Sequence, residues 1–186
     1  MNLWLMRHAP VLLPPGICYG ASDVLADEAA TLDAAQHAAE QLPRGLPVRV
    51  SGLRRAQQLA CQLAVLRPDL HAAIVDPRLN EMNFGCWEMQ LWDAVPQSVF
   101  DAWLADFDHH RFGDVESTHM LLQRVGQALS ELQTDELWIA HAGVVRAVQW
   151  IVEHGMTPVR QAANWPATVV EPGGVWMLKI SQADAA

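Results

Sequence analysis

The sequence predicts an α/β fold in which a mostly parallel central sheet with an antiparallel edge strand lies between two layers of helices. Residues 3–6 and 137–140 are continuously apolar, which is typical of strands buried on both faces of a parallel sheet. Segments with helical periodicity separate the predicted strands. Pro172-Gly173-Gly174 is a turn motif between two β-prone segments and predicts the antiparallel edge. Together these observations predict a three-layer α/β/α sandwich.

The first half of the chain alternates predicted strands and helices. Residues 3–6 form the first strand, and the Ala-rich residues 27–42, ended by Pro43 and Gly45, predict a helix. Residues 48–50 predict the second strand. Residues 53–60 predict the first turns of a helix that Ser51 or Gly52 caps. Residues 72–75 predict a third strand, which a loop follows.

The second half begins with a predicted helical insertion at residues 87–112. Residues 116–132 predict another helix, with Val125 and Leu129 on its apolar face. Residues 137–140 predict the fourth strand, and a helix opens at Ala142. Residues 168–171 and 175–180 predict the final strands, joined as an antiparallel hairpin. A chain of 186 residues fits one domain, residues 1–186.

Arg7 and His8 directly follow the first predicted strand. Ligands of open α/β sheets collect at the carboxyl ends of such strands. A guanidinium group can hold phosphoryl oxygens with two hydrogen bonds, and an unprotonated imidazole nitrogen can attack phosphorus. Alone, this pair is a weak motif, and a histidine that only caps a strand and bonds to the backbone explains it better.

Three further charged positions follow predicted strands in the same way. Arg55 lies in the helix after the second strand, Glu81 lies in the loop after the third, and His141 ends the fourth. The helix that opens after His141 presents its amide end to anions. Taken singly, Arg55 suits a solvated helix face, Glu81 a surface carboxylate and His141 a buried structural histidine. Taken together, four such positions in one topological register favour a catalytic site.

With these residues in their order, the chain resembles the histidine phosphatase superfamily, whose members include phosphoglycerate mutases, broad-specificity phosphatases and α-ribazole phosphatases. The resemblance covers nearly the whole chain and implies a phosphoglycerate mutase-like fold. The matching motifs are Arg7-His8, Ser51 with Arg55-Ala56, Leu79 with Glu81, Gly85-Cys86-Trp87-Glu88 and His141-Ala142-Gly143 with Val145-Arg146. Residues 16–24, Glu116-Ser117 and Arg124-Val125 are similar to the α-ribazole phosphatase subgroup.

The resemblance implies a metal-independent phosphomonoesterase that works through a phosphohistidine. His8 attacks phosphorus, and Arg7, Arg55 and His141 neutralise the phosphoryl oxygens. Glu81 gives a proton to the leaving oxygen and then activates water. The expected catalytic residues are therefore His8, Glu81 and His141, with Arg7, Arg55 and His141 binding phosphate.

The expected substrate is α-ribazole 5′-phosphate, an intermediate of cobalamin synthesis, or another small phosphate ester. Candidate residues of the substrate pocket are Tyr19, Ser22, Trp87 and Trp92. The aromatic side chains of the insertion can stack on a flat heterocycle, although packing against the sheet explains most of them. A phosphoglycerate mutase-type isomerase, a broad-specificity phosphatase and a non-catalytic phosphohistidine or binding module stay open as alternatives.

The chain departs from the family pattern where glycine is usual. Alanine occupies positions 9 and 142, methionine follows Trp87-Glu88 at position 89, and valine precedes Glu116 at position 115. Alanine strains a backbone only where φ is positive. We therefore expect these changes to alter the mouth of the site more than its chemistry.

Composition restricts the partners. The formal net charge of −9 argues against binding to nucleic acid or anionic membranes. Three cysteines without metal or redox spacing predict reduced thiols in a cytoplasmic protein. The eight histidines form no recognised ligand motif, and neighbours such as His109 and His110 do not face one another on a helix, so we expect neither metal nor cofactor. The oligomeric state stays open, with a homodimer as one option.

Overall fold

A five-stranded mixed sheet forms the centre of the molecule, as a computed structural model of residues 1–167 and 170–181 describes it. The strand order is β3-β2-β4-β1-β5. All neighbours are parallel except β5, which pairs antiparallel with β1 at one edge. The strands are β1 (Asn2–Arg7), β2 (Val48–Val50), β3 (Ile74–Val75), β4 (Glu136–Ala140) and β5 (Val175–Lys179).

Helices cover both faces of the sheet, so the predicted three-layer sandwich is confirmed. The α-helices are α1 (Glu28–Gln41), α2 (Arg54–Leu66), α3 (Gln97–Ala105), α4 (Thr118–Ser130) and α5 (Ala142–His154). One apolar core joins α1 and α2 to one face of the sheet, and the other joins α4 and α5 to the opposite face. Strand β4 faces both cores, with Leu137 and Ile139 in one and Trp138 and Ala140 in the other. Its uninterrupted apolar sequence therefore follows from burial on two sides.

The predicted insertion at residues 87–112 is built from short helices. It contains the 3₁₀ turn Trp92–Ala94 and helix α3, and the 3₁₀ turn Gly85–Trp87 leads into it. Phe112 is fully buried and contacts the rings of Trp92, Phe100 and Trp103, with centroid distances of 4.7 to 5.9 Å. The aromatic side chains thus hold the insertion together by packing on one another.

Three details of the predicted elements differ from the structure. Helix α2 begins after Leu53, and neither Ser51 nor Gly52 caps it; the backbone N–H of Arg54 donates instead to Asp23 Oδ1 at 2.7 Å. The third strand is only two residues long and exposed, and it lies at the edge of the described sheet beside β2.

The predicted hairpin between residues 168–171 and 175–180 is the third difference. Residues 168 and 169 lie outside the described residues, and residues 170 and 171 are not part of a strand. Strand β5 pairs with β1, and the Pro172-Gly173-Gly174 turn brings it there. The N–H of Gly173 donates to the carbonyl oxygens of Arg7 and His8, at 3.1 and 3.0 Å. The turn therefore fixes the end of β1, where the predicted site begins.

Candidate active site

Two buried histidines stand side by side at the carboxyl ends of the two central strands. Arg7 of β1 lies opposite Ala140 of β4, so the next residues, His8 and His141, are neighbours across the sheet. Their ring centroids are 5.1 Å apart. His8 is 3% exposed and His141 is fully buried. The parallel register of β1 and β4 therefore creates the centre of the site.

The hydrogen bonds of His8 leave one ring nitrogen free to act as a nucleophile. Its Nδ1 lies 2.7 Å from the carbonyl oxygen of Ala9, which can only accept, so Nδ1 carries the proton. Burial lowers the pKa of His8 to about 3, and the cationic Arg55 and Arg7 add to this shift. The ring is therefore neutral near pH 7, with its lone pair on Nε2.

His141 belongs to a chain of hydrogen bonds that sets its orientation. Its Nε2 lies 2.7 Å from Ser51 Oγ, and Ser51 Oγ donates to Asn80 Oδ1 at 2.9 Å. Asn80 Oδ1 also accepts from the N–H of Gly52 at 2.7 Å, which identifies it as the oxygen of the amide. Nε2 of His141 is thus the donor to Ser51. Burial, followed by the charge of Arg55, holds the pKa of His141 well below its ordinary value.

Arg55 is fully buried beside these rings. Its Nη1 and Nη2 donate to the carbonyl oxygens of Ser22 and Gly20, at 2.7 and 2.5 Å. The guanidinium carbon lies 5.3 Å from the centre of the Tyr19 ring, in a cation–π arrangement. The loop of residues 19–22 therefore fixes Arg55 in place.

Glu88, the last residue of the Gly85-Cys86-Trp87-Glu88 motif, was not among the predicted site residues, yet it organises that loop. Its carboxylate accepts hydrogen bonds from the backbone N–H groups of Gly20, Ala21, Ser22 and Phe84, and from Ser22 Oγ, at 2.5 to 3.1 Å. Burial favours the neutral acid, but these hydrogen bonds prevail and hold the pKa of Glu88 below its ordinary value. Glu88 acts on the site through Arg55 and is a positioning residue.

Glu81 reaches the site from the loop after β3. Its Oε2 accepts from the N–H of Gly143 at 3.0 Å, at the amino end of α5, and its Oε1 accepts from the N–H of Met82 at 3.0 Å. A carboxylate is favoured at a helix amino end because unpaired N–H groups and the helix dipole point toward it. The same helix that follows His141 therefore also positions Glu81.

An ion pair supports the loop that carries Glu81. Arg124 Nε donates to Glu116 Oε1 at 2.7 Å, and Arg124 Nη1 donates to the carbonyl oxygens of Arg78 and Asn80 at 2.6 Å. Both members of the pair belong to motifs that suggested the α-ribazole phosphatase subgroup. In the structure these two side chains fasten the backbone next to Glu81.

Three polar nitrogen atoms around the histidines are buried without a hydrogen-bond partner among residues 1–167 and 170–181. They are Arg7 Nε, Arg55 Nε and His141 Nδ1. Arg7 is held by its Nη1, which donates to the carbonyl oxygen of Val170 at 3.1 Å. Buried donors of this kind are usually satisfied, and an anion with several acceptor oxygens would satisfy the two guanidinium nitrogens.

An apolar cavity of about 390 Å³ adjoins Glu81 and Gly143. Its walls combine the loop after β3, the insertion, the amino ends of α4 and α5, and the segment after α5. The aromatic lining residues are Phe84, Trp103, Phe107 and Trp165. Arg146 also lines the cavity, and burial lowers its pKa. The site therefore offers a phosphoryl position next to an aromatic pocket.

The candidate pocket residues occupy different places. Tyr19 lies against Arg55, and the hydroxyl of Ser22 donates to Glu88 at 2.5 Å. Trp92 packs behind Phe84, with ring centroids 5.4 Å apart, and Trp87 contacts the ring of Phe112 at 6.5 Å. None of these four is among the residues that line the 390 Å³ cavity in the described part of the chain.

The departures from the family's glycines fall into two groups. In the described chain the non-glycine residues with positive φ are Met89 and Asp114, so Ala9 and Ala142 are unstrained. Met89 has φ of 65°, in the left-handed region that glycine prefers. One of the four departures is therefore strained.

Comparison with known proteins agrees with this geometry. Residues 3–171 match the Histidine phosphatase superfamily (branch 1). No curated protein matches the chain. Within the described residues no helix has the length and apolar character that crossing a membrane requires.

Solved structures with the same fold include two from Thermus thermophilus. The protein TTHB049 is 27% identical, with a TM-score of 0.74 over 96% of this chain and 93% of that chain. A phosphoglycerate mutase is 26% identical, with a TM-score of 0.72 over 96% and 92%. The mycobacterial glucosyl-3-phosphoglycerate phosphatase is 23% identical, with a TM-score of 0.76 over 96% and 89%, and shares the fold. The order of the motifs, the sheet and the family match together show that the chain belongs to branch 1 of the histidine phosphatase superfamily.

Proposed function

We propose that the protein is a phosphomonoesterase that forms a phosphohistidine at His8 Nε2 and hydrolyses it. The observation that carries the proposal is the pair of buried imidazoles, 5.1 Å apart, with Arg55 and Arg7 close enough to lower the pKa of His8. A neutral imidazole held by Ala9 is a ready nucleophile. The arginines supply the positive charge that phosphoryl transfer requires, so the chemistry needs no metal ion.

In the first step, His8 Nε2 attacks phosphorus in line with the ester oxygen. The P–N bond forms as the P–O bond to the leaving group breaks. Glu81, as the carboxylic acid, gives its proton to the leaving oxygen, which departs as an alcohol. The amino end of α5 holds Glu81 during this transfer through the N–H of Gly143.

In the second step, water attacks the phosphohistidine. Glu81, now a carboxylate, takes a proton from the water as the P–N bond breaks, and inorganic phosphate leaves. His8 is restored with its lone pair on Nε2, and Glu81 is again an acid. The phosphoryl oxygens receive hydrogen bonds from Arg7 and Arg55, whose Nε atoms lack partners within the described chain. A phosphoryl dianion also favours a proton on Nδ1 of His141, which then donates to it.

We propose α-ribazole 5′-phosphate as the leading substrate. Two features support it: the resemblance of residues 16–24 to the α-ribazole phosphatases, and the cavity beside Glu81, where Trp103, Phe107 and Trp165 offer flat surfaces to an aromatic base. The leaving oxygen must face Glu81, so the organic part of the ester extends into this cavity. We propose that the protein acts in the cytoplasm on a small molecule rather than on nucleic acid or membranes.

Two alternatives use the same site. A broad-specificity phosphatase would turn over many esters at similar rates. A mutase would return the phosphoryl group to a second hydroxyl of the bound product, and the solved mutase of Thermus thermophilus shares the fold. A non-catalytic binding module is disfavoured because all five side chains that the reaction needs are present and are held by hydrogen bonds. They are Arg7, His8, Arg55, Glu81 and His141.

The test is a panel of substrates without added metal. Phosphate release is measured from α-ribazole 5′-phosphate, 3-phosphoglycerate, a phosphohistidine peptide and an aryl phosphate, with His8→Ala and the exposed-histidine control His37→Ala. We expect the highest kcat/KM for α-ribazole 5′-phosphate, no turnover by His8→Ala, and normal turnover by His37→Ala. Similar slow rates on every ester would reject the substrate assignment. Isomerisation of phosphoglycerate without phosphate release would indicate a mutase.

A further inference from the structure

A second cluster of reactive side chains lies outside the phosphoryl site. Asp108 and His109 follow helix α3 at the end of the insertion, and His119 belongs to the first turn of α4. One carboxylate oxygen and one nitrogen from each imidazole all lie within 4.8 Å of one another. The fold therefore gathers a carboxylate and two imidazoles from two segments that are separate in sequence.

The two distances from Asp108 to the imidazoles match those between neighbouring ligands of a tetrahedral metal ion. Asp108 Oδ2 lies 3.1 Å from His119 Nδ1 and 3.3 Å from His109 Nε2. Around Zn²⁺, with metal–ligand bonds of about 2.0–2.1 Å, two tetrahedral ligand atoms stand about 3.3 Å apart. Both contacts thus have the length of one edge of a zinc tetrahedron.

The hydrogen bonding of Asp108 points to a missing ligand. Asp108 is 4% exposed, and its Oδ1 accepts from the N–H of Val159 at 2.8 Å. Its Oδ2 is buried and, within residues 1–167 and 170–181, has no hydrogen bond of acceptable geometry. Buried carboxylate oxygens are normally satisfied, and here two imidazole nitrogens lie within 3.3 Å of Oδ2. Imidazole nitrogens are metal ligands in their neutral form.

We propose that Asp108, His109 and His119 bind a divalent transition metal ion, with Zn²⁺ the best match for two imidazoles and one carboxylate. Mg²⁺ and Ca²⁺ are poor matches because they prefer oxygen ligands throughout. The side chain of His109 is 63% exposed, so the ion can enter from solvent and keeps its fourth position for water. This proposal departs from the expectation of a metal-free protein, because His119 meets His109 only after folding.

The ion would fasten three parts of the molecule around the cavity. The side chain of Asp108 already accepts a hydrogen bond from the N–H of Val159 after α5. The backbone carbonyl oxygen of Asp108 accepts another from the N–H of His119 at 2.8 Å. The neighbours Phe107 and Thr118 line the cavity beside Glu81. The bound ion would thus stabilise one wall of the cavity and take no part in phosphoryl transfer.

The test is a zinc titration of chelator-treated, refiltered protein against a chromophoric chelator of known affinity. We expect one equivalent of Zn²⁺ per chain, and no competition from Mg²⁺ or Ca²⁺. His109→Ala and His119→Gln each weaken binding by at least about tenfold, because each removes a ligand. His110→Ala is the matched control, since His110 is the sequence neighbour of His109 and lies outside the cluster. His109 is exposed, so His109→Ala should leave the fold intact, which circular dichroism verifies.

Co²⁺ gives a second readout, because a tetrahedral Co²⁺ site absorbs strongly in the visible range and the absorption should disappear in His119→Gln. Three results would overturn the proposal: no zinc binding by the wild-type chain, unchanged affinity in both ligand variants, or equal loss in His110→Ala. Loss of binding in His8→Ala with retention in His119→Gln would place the ion at the phosphoryl site and reject the cluster. None of these measurements depends on the enzyme's substrate.

Discussion

Gly143 controls how closely the carboxylate of Glu81 approaches the amino end of α5. A Cβ added at Gly143 would overlap Glu81 Oε1 and stand 3.2 Å from its Cδ. The backbone of Gly143 is helical, so alanine fits it without strain, and the substitution acts on the carboxylate alone. Replacing Gly143 with alanine therefore tests whether the position of Glu81 matters.

The size of the effect follows from the displacement. A carbon and an oxygen that are not bonded rest about 3.3 Å apart, so the carboxylate must move by about 1 Å. A displacement of about 1 Å in a reacting group costs about a hundredfold in rate. Alanine is the better helix former by about 0.5–1 kcal/mol, so Gly143→Ala should lose turnover without losing stability.

The assay compares leaving groups. With an alkyl phosphate, both steps need Glu81, and kcat should fall about a hundredfold. With nitrophenyl phosphate the leaving oxygen needs little protonation, so only hydrolysis slows, and rapid quenching should show phosphohistidine accumulating in a burst. Ala142→Gly is the control at the neighbouring position and should keep normal rates.

A double variant decides whether the loss passes through Glu81. If it does, Gly143→Ala combined with Glu81→Gln is no slower than Glu81→Gln alone. Wild-type rates in Gly143→Ala, or losses that multiply in the double variant, would refute the reasoning.

Three further predictions concern charge, acid stability and strain. Arg55→Lys should lower kcat by about a hundredfold to a thousandfold in steady-state assays, because lysine cannot bind both carbonyl oxygens and the phosphoryl group. The exposed neighbour variant Arg54→Lys should keep the wild-type kcat. Equal losses of kcat in the two variants would contradict this prediction. The folded protein takes a proton at His8 only near pH 3, whereas the unfolded chain does so near 6.5, so the unfolded state binds more protons between these values and acid favours unfolding. His8 should thus account for about 2 kcal/mol of the free energy of unfolding that is lost between pH 7 and pH 5 in urea titrations. The variant His8→Asn should lose about 2 kcal/mol less over the same range. An identical pH dependence of the two proteins would disprove this prediction. Met89→Gly should relieve the positive φ of 65° and raise stability by about 1 kcal/mol, or Tm by about 2–4 °C in a thermal melt, while Met89→Ala should not; a gain in both would point to the side chain instead.

The centre of the fold could be predicted from the sequence because strands that are buried on both faces are continuously apolar. The apolar runs at β1 and β4 predict central parallel strands, and parallel strands end at the same edge, which brings His8 and His141 together. The structure also brings Glu81 to the amino end of the helix that follows His141. Local pattern and sheet geometry agree for these residues.

The rest depends on contacts between distant loops, for which a single sequence holds little information. Glu88 matters because its carboxylate accepts hydrogen bonds from the backbone of residues 20–22, and no pattern in the sequence predicts that contact. The cavity takes Trp103 from the insertion and Trp165 from the segment after α5, so its walls exist only after packing. Ser51 is a good helix cap by residue type, yet its hydroxyl accepts a hydrogen bond from His141. Asp23 caps helix α2 instead.

The distance between neighbouring strands of the sheet sets the distance between the two imidazoles. Hydrogen-bonded strands run about 4.8 Å apart, and the rings of His8 and His141, each the first residue beyond its strand, are 5.1 Å apart. The reactive centre is thus as rigid as the ladder that joins β1 to β4. Segments that neither carry Glu81 nor hold Arg55, such as the aromatic insertion, can therefore change during evolution without altering that spacing, so new substrates can be gained while the chemical step is preserved.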